Sequence, residues 1–114
     1  MPKAWTELFG ADATFGSDVG GVYVKFYADD MVAATGITAA NINNANAAEK
    51  MVATLVKFWA SLTYTETNNI TVAADFTDLN VVQRNGSAKW TKGYDIALFA
   101  SATGIPTSID PDDV

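Results

Sequence analysis

The chain has 114 residues and a mass of 12.1 kDa, and 49% of its residues are apolar while 18% are charged. This composition excludes an intrinsically disordered chain, which combines low hydrophobicity with high charge. Thirteen acidic against seven basic residues give a net charge of −6, which disfavours nucleic acid and anionic lipid as partners. The length predicts one domain.

Cysteine and histidine are both absent. Their absence excludes disulfide bonds, thiolate zinc sites, and catalysis by Ser–His–Asp or Cys–His groups within one chain. The sequence also shows no secretory signal and no apolar stretch of the roughly 20 residues that span a bilayer. We therefore expect a soluble, cytoplasmically made protein that is not an enzyme and that has no cofactor.

The N-terminal third predicts a short helix, an arm and a strand. Residues 2–10 read as a helical turn, with Pro2 at its first position and Gly10 as its stop. Residues 11–21 hold three glycines without periodicity, which predicts a loop and makes residues 1–21 an N-terminal arm. Residues 22–27 alternate in the manner of a strand, with Val22, Val24 and Phe26 facing inward.

The strongest helix signal runs from Asn46 to Leu62. Asn46 with Glu49 three residues later is typical of a capped helix start. Apolar residues then recur at steps of three and four, which predicts one buried stripe and leaves Thr54 outside it. The members of this stripe are Ala48, Met51, Val52, Leu55, Val56, Trp59 and Leu62.

A long hairpin is predicted over residues 70–100. Asn85-Gly86 between two apolar-bearing segments is typical of a two-residue type I′ turn, which sets Arg84 opposite Ser87. The same register pairs Val81 with Trp90 on a buried face and Leu79 with Lys92. Farther from the turn, the apolar side of residues 70–76 lies on even numbers, so this register would put Phe76 opposite Asp95.

A shift of one residue restores the apolar pairing along the far half of the hairpin. Phe76 then faces Tyr94, Ala74 faces Ile96, and Val72 faces Leu98. The shift requires a β-bulge, with Thr77 and Asp78 opposing Gly93. The resulting fold class is α+β, with one amphipathic helix packed on a mainly antiparallel sheet, a core at 22–101, and an acidic, extended tail at 102–114.

Few residues point to site chemistry. Asp75 and Asp78 form the nearest approach to a catalytic carboxylate pair, but Asp at a strand break is more typical of a turn. Asp110, Asp112 and Asp113 provide too few oxygens for calcium and read as a solvated tail. Arg84, Lys89 and Lys92 lie on the hairpin with Trp90, which favours a solvated tip or contact with an acidic partner.

The N-terminal segment predicts a contact surface. Trp5, Leu8, Phe9 and Phe15 are large apolar residues in a short segment that cannot form a core by itself. They must dock on the domain itself or on a neighbouring subunit. We expect that Trp5, Leu8 and Phe9, together with Asp110, Asp112 and Asp113 of the tail, form assembly contacts.

Five blocks of sequence resemble small structural proteins of tailed phages, particularly those that infect cyanobacteria. The blocks are Trp5–Ala11, Val72–Phe76, Val82–Gly86, Tyr94–Phe99 and Ile109–Val114. The resemblance implies a non-enzymatic virion component, with a capsid cement or decoration protein as the first expectation. Its partners would be the major capsid protein, other virion proteins and further copies of the chain. The alternatives are a neck or tail accessory protein, a bacterial adhesion or filament subunit, and a small glycan-binding domain.

Overall fold

A computed structural model describes residues 2–43, 47–76, 79–101 and 108–114. The fold class is α+β, as predicted, with short helices and three antiparallel two-stranded sheets in these ranges. The contacts divide the chain into two compact units, Met1–Thr63 and Tyr64–Val114. The expectation of a single domain with terminal arms stays a prediction.

The first unit opens with helix α1, Trp5–Phe9. The backbone N–H of Ala4 donates to Glu7 Oε1 at 3.0 Å, which satisfies one of the donors left free at a helix start. Gly10 ends the helix with a φ of 102°. The predicted helical turn is therefore confirmed, but Pro2 precedes the helix and does not occupy its first position.

Strands β1, Thr14–Asp18, and β2, Gly21–Lys25, form the first sheet. The prediction of a loop over residues 11–21 is therefore wrong. Phe15 is the single large apolar residue of β1, so the strand has no alternation to detect, and its pairing with β2 defines it. Gly16 lies opposite Tyr23, whose hydroxyl oxygen would be 2.8 Å from a Cβ at that position.

The predicted orientation of the side chains of residues 22–27 is confirmed in part. Val24 and Phe26 are half-buried, while Tyr23 and Tyr27 are exposed. Val22, expected on the inner side, is 86% exposed. The alternation therefore describes the end of the segment nearest the core and fails next to the turn, where Val19 is exposed as well.

Short helices lead from β2 to the main helix. They are the 3₁₀ turns Ala28–Met31 and Ala39–Asn41 and helix α2, Val32–Thr35. Helix α3 runs from Ala48 to Ala60, inside the predicted bounds, and packs with α1, α2 and the first 3₁₀ turn. The predicted cap residue Asn46 lies outside the described residues.

The buried side of α3 differs from the predicted stripe. Thr54 and Phe58 are its buried residues, whereas Val52 is 59% exposed. Thr54 was expected outside the stripe because it is polar. Its hydroxyl donates to the carbonyl of Lys50 at 2.7 Å, so the side chain can be buried without an unsatisfied group. This side of α3 belongs to a core that includes Met31, which is fully buried.

The second unit contains four strands. They are β3, Ile70–Ala74; β4, Asn80–Arg84; β5, Ser87–Thr91; and β6, Tyr94–Leu98. β4 pairs with β5 around a two-residue turn in which Asn85 and Gly86 have φ values of 51° and 77°. These angles and the pairing of Arg84 with Ser87 confirm the predicted turn.

The register at the base of the hairpin corrects the predicted bulge. β3 pairs with β6 so that Ala74 faces Tyr94 and Val72 faces Ile96. Even residues face even residues, as predicted, but the offset differs by two positions from the predicted one. Five residues, 75–79, stand against two, 92–93, between the paired segments. The discontinuity is therefore larger than a bulge, and it leaves Phe76 unpaired.

Other features of this region also differ from the predictions. Leu79 and Lys92 lie outside the paired segments, and Asp95 pairs with Ala73. Thr77 and Asp78 lie outside the described residues. The tail was expected to be extended, yet Pro111–Asp113 forms a 3₁₀ turn. Residues 102–107 of that tail also lie outside the described residues.

Within the described part of the chain, every helix is too short or too polar to cross a lipid bilayer.

Candidate assembly surface

The aromatic residues of α1 contact other elements of the first unit. The Phe9 ring lies 5.6 Å from the ring of Phe26 and 6.2 Å from that of Trp59, the latter edge-on. Trp59 Nε1 donates to the carbonyl oxygen of Leu8 at 2.7 Å. Phe9 and Leu8 are both half-buried. The sequence allowed these residues to dock either on the chain itself or on a neighbouring subunit. The contacts of Leu8 and Phe9 are with the chain itself.

Trp5 and Phe15 complete the aromatic group on its solvent side. Their rings stack with centroids 5.2 Å apart, and the Trp5 ring lies 5.7 Å from that of Phe9. Trp5 is 43% exposed and Phe15 is 63% exposed. The cluster therefore has an inner part that holds α1 and an outer part that is available to a neighbour. The assembly role of Trp5, Leu8 and Phe9 stays a prediction.

The hairpin of β4 and β5 has an apolar face, here called the Trp90 face. The pairs Val81–Trp90 and Gln83–Ala88 place these four side chains on one side, because directly opposed residues share a face. The Val81–Trp90 pair confirms the predicted register. Its predicted burial is wrong, since Val81 is 55% and Trp90 is 72% exposed.

Apolar exposure extends over the rest of the second unit. Phe76 is fully exposed, and Ile96, Leu98 and Phe99 are at least 42% exposed. Among the described residues of this unit, Val72 alone is apolar and buried. The sequence pattern predicted these positions to lie on apolar faces of strands, but it could not show that their side chains are exposed.

Asp75, from the predicted carboxylate pair, has a lysine beside it. Lys92 Nζ lies 3.3 Å from Asp75 Oδ1 and donates to the Asp75 carbonyl oxygen at 3.0 Å. These contacts bridge the two arms where their pairing is interrupted. Lys92 therefore has a structural role at the base of the hairpin. This role distinguishes it from Arg84 and Lys89, the two basic residues with which the sequence grouped it. Asp78, the other predicted member, lies outside the described residues.

The first unit carries its own acidic group around the end of β2. The backbone N–H of Asp12 donates to Asp30 Oδ2 at 3.2 Å, and the negative charge of Asp30 raises the pKa of the Asp12 carboxyl. Both carboxylates line a shallow cavity together with Asp29 and Tyr27. Across the residues that the structure describes, no group of three or more acidic side chains is arranged to hold a metal ion.

The tail carboxylates belong to the second unit. Asp110 Oδ1 accepts a hydrogen bond from the backbone N–H of Asp112 at 3.0 Å and so caps the final 3₁₀ turn. Asp110, Asp112 and Asp113 are all exposed. Asp110 therefore has a local structural role, while the assembly role of the three residues stays a prediction.

A cavity with a volume of about 550 Å³ lies in the second unit. Tyr64 and Phe99 provide its aromatic walls, and burial raises the pKa of the Tyr64 hydroxyl. Its polar lining residues are Thr65, Glu66, Asn68, Asn69 and Thr71. Asn68 Oδ1 accepts from the backbone N–H of Thr65, which holds the turn that forms one wall. The sequence carried no signal for this cavity, because most of its lining lies in the polar segment 64–71, which matches no motif, and Phe99 joins it only through the backbone hydrogen bond from its N–H to the Asn69 carbonyl at 2.9 Å.

Comparison with protein-family models, curated proteins and solved structures gives no match to this chain.

Proposed function

We propose that this protein is a non-enzymatic structural subunit of a phage particle and acts as a capsid cement or decoration protein. The observation that carries the proposal is the apolar surface of the second unit. Its described residues bury one apolar side chain, Val72, while Trp90, Ile96 and Leu98 remain in contact with water. A folded protein rarely leaves large apolar patches uncovered unless they serve as contact sites.

The first unit supports the same proposal. Its outer aromatic residues, Trp5 and Phe15, add a second apolar area. A subunit that stabilises a shell must touch more than one neighbour, and an apolar area in each of the two units suits that requirement. The net charge of −6 favours protein partners over packaged nucleic acid.

The phage context comes from the resemblance of the five sequence blocks to virion structural proteins. On this proposal, the partners are the major capsid protein and further copies of the chain, and the mature location is the virion. No cofactor takes part.

The test is to purify the particles that encode this chain, measure its copy number by mass spectrometry, and locate it with gold-labelled antibodies. A cement protein should be present at a copy number comparable to that of the shell subunits, with label over the capsid. Label confined to the neck or tail would favour the accessory-protein alternative. Particles that lack the protein, or a purified protein that turns over a substrate, would contradict the proposal.

A second candidate function, glycan binding, is favoured by the cavity beside Tyr64 and Phe99. Its volume lies in the range of small-molecule sites, and aromatic walls with amide and carboxylate groups suit a sugar. Titration of the protein with simple sugars, followed by NMR, tests this alternative. Shifts at Asn69 and Phe99 that Phe99→Ala abolishes would support it, whereas unchanged spectra would exclude it for those sugars.

A further inference from the structure

The cavity beside Tyr64 and Phe99 has one wall that hydrogen bonds hold in place. This wall is the turn of residues 65–68, in which Asn68 Oδ1 accepts from the backbone N–H of Thr65 at 2.8 Å. The backbone N–H of Asn68 donates in return to the carbonyl oxygen of Thr65 at 3.1 Å, and Asn68 itself is buried. A ligand would therefore meet a formed surface, and its binding would require little ordering of the chain.

Glu66 places a negative charge in this wall. It is exposed and forms no ion pair with the residues that the structure describes. The other described residues of the lining are aromatic or neutral. Phe99 and Asn69 also line an adjacent cavity of about 320 Å³, together with Asp113. Each of the two cavities that share Phe99 therefore has a carboxylate in its lining.

The basic residues of the second unit lie outside both linings. The unit has seven acidic and three basic residues, and hence a net charge of −4. Arg84 and Lys89 belong to the β4–β5 hairpin, and Lys92 pairs with Asp75. Residues 102–107, which lie outside the described residues, are all uncharged in the sequence. The second unit therefore provides negative charge at the cavity without a base of its own to neutralise it.

Lys3 of the first unit contacts Thr63, the residue before Tyr64. Its Nζ donates to the Thr63 carbonyl oxygen at 2.6 Å and lies 3.6 Å from Glu7 Oε2. The charge of Lys3 is therefore offset by Glu7 within the first unit, and we assign it no part in the cavity.

We infer that the cavity beside Tyr64 and Phe99 binds a small organic cation, a molecule that carries an ammonium group. The face of an aromatic ring attracts a cation through its quadrupole, and a carboxylate nearby adds a Coulomb attraction. A neutral molecule of the same shape gains neither, and an anion is repelled. The inference rests on the second candidate function, in that the cavity must be a ligand site, and it adds the charge of the ligand. It does not depend on the virion role.

The test is an NMR titration of the purified full chain with a matched pair of probes. Choline carries a quaternary ammonium group, and 3,3-dimethylbutan-1-ol has the same shape with carbon in place of the charged nitrogen. Choline should shift the resonances of Asn69 and Phe99 and bind about 2- to 5-fold more tightly than the alcohol, as for an exposed cation–π contact. Glucose, a neutral sugar, is titrated in parallel as the probe for glycan binding.

Two substitutions assign the preference to the cavity. Glu66→Gln removes the charge and keeps the shape, while Phe99→Leu removes the ring and keeps an apolar side chain. Each should reduce the preference for choline over the alcohol about 2-fold or more. Asp95→Asn and Phe76→Leu are the matched controls, because both residues are exposed in the same unit and lie outside the lining. Circular dichroism checks that all four variants fold.

Three results would overturn the inference: no shift with choline, equal affinity for choline and the alcohol, or a preference that Glu66→Gln and Phe99→Leu both leave unchanged. An equal loss of preference in the control variants would also contradict it, because the effect would then come from the net charge or from any exposed ring. Glucose separates the two proposals for the cavity. Shifts with glucose and none with choline would leave glycan binding in place and overturn the cation, whereas shifts with choline alone would do the opposite. No shift with any probe would contradict both and leave the virion proposal as it stands.

Discussion

Replacing Phe9 with alanine tests whether the N-terminal segment is held by its own unit. Phe9 packs against Phe26 and Trp59 and is half-buried. Phe→Ala at a fully buried site costs about 3–5 kcal/mol, so a half-buried ring should contribute roughly 1.5–2.5 kcal/mol to the free energy of unfolding. The hydrogen bond from Trp59 to the Leu8 carbonyl would remain possible, so the loss should not exceed that range.

Phe15→Ala is the matched control for this measurement. Phe15 is 63% exposed and stacks with Trp5, so its truncation should cost less than about 1 kcal/mol. Urea unfolding followed by tryptophan fluorescence measures both variants, and Trp59 reports directly on the Phe9 site. If Phe9→Ala costs no more than Phe15→Ala, the internal contacts do not hold α1. That result would favour the expectation that the segment is ordered by neighbouring subunits.

Four further substitutions have expected outcomes. Gly10→Ala should cost about 2–3 kcal/mol in urea unfolding, because φ is 102° and the new Cβ would lie 2.7 Å from that of Asp30. Gly36→Ala, with a φ of 76° and open space around it, should show the backbone strain alone, about 1 kcal/mol. Asp12→Asn should raise the melting temperature at about pH 7 and leave it unchanged at about pH 3, where carboxyls are protonated. The reason is that Asp30 raises the pKa of Asp12 in the folded state, so the wild-type protein loses stability as the pH rises through the pKa of Asp12. An equal gain in melting temperature at both pH values would contradict this cause. Gly86→Ala should weaken the nuclear Overhauser contact between Val81 and Trp90, because alanine disfavours a φ of 77° by about 1–2 kcal/mol. An unchanged contact would show that the turn does not determine the stability of the hairpin.

The sequence was sufficient for features that depend on local chemistry. Asn85-Gly86 determines its turn because both residues must adopt positive φ, and the pairing of Arg84 with Ser87 follows from the loop length. At the base of the hairpin, local chemistry was not sufficient to determine the register. Alternation of apolar residues determines which face a residue occupies, so even residues pair with even ones as predicted. A shift of two residues preserves that alternation, and hence the pattern could not distinguish the predicted offset from the observed one.

Features that depend on tertiary contacts were missed. β1 has one large apolar residue, Phe15, and becomes a strand by pairing with β2. Thr54 is buried by the packing of α3 on neighbouring short helices, and the hydrogen bond from its hydroxyl to the Lys50 carbonyl makes this possible, which a ranking of residues by polarity does not consider. For the candidate assembly surface, the sequence identified the aromatic residues near the N-terminus, but not that Phe26 and Trp59 receive Phe9. It also identified the Val81–Trp90 pair without showing that the pair remains exposed.

The two-stranded form of the hairpin has a consequence for amide hydrogen exchange. In an antiparallel pair, successive backbone N–H groups point alternately toward the partner strand and away from it. Arg84 and Ser87 flank a two-residue turn, so the N–H groups of Arg84, Val82 and Asn80 point toward β5. Those of Gln83 and Val81 point outward. Slow and fast exchange should therefore alternate along β4. A partner that added a third strand at the outer edge of β4 would slow exchange at Val81 and Gln83 and remove this alternation, whereas a partner that packed against a face of the hairpin would leave it in place.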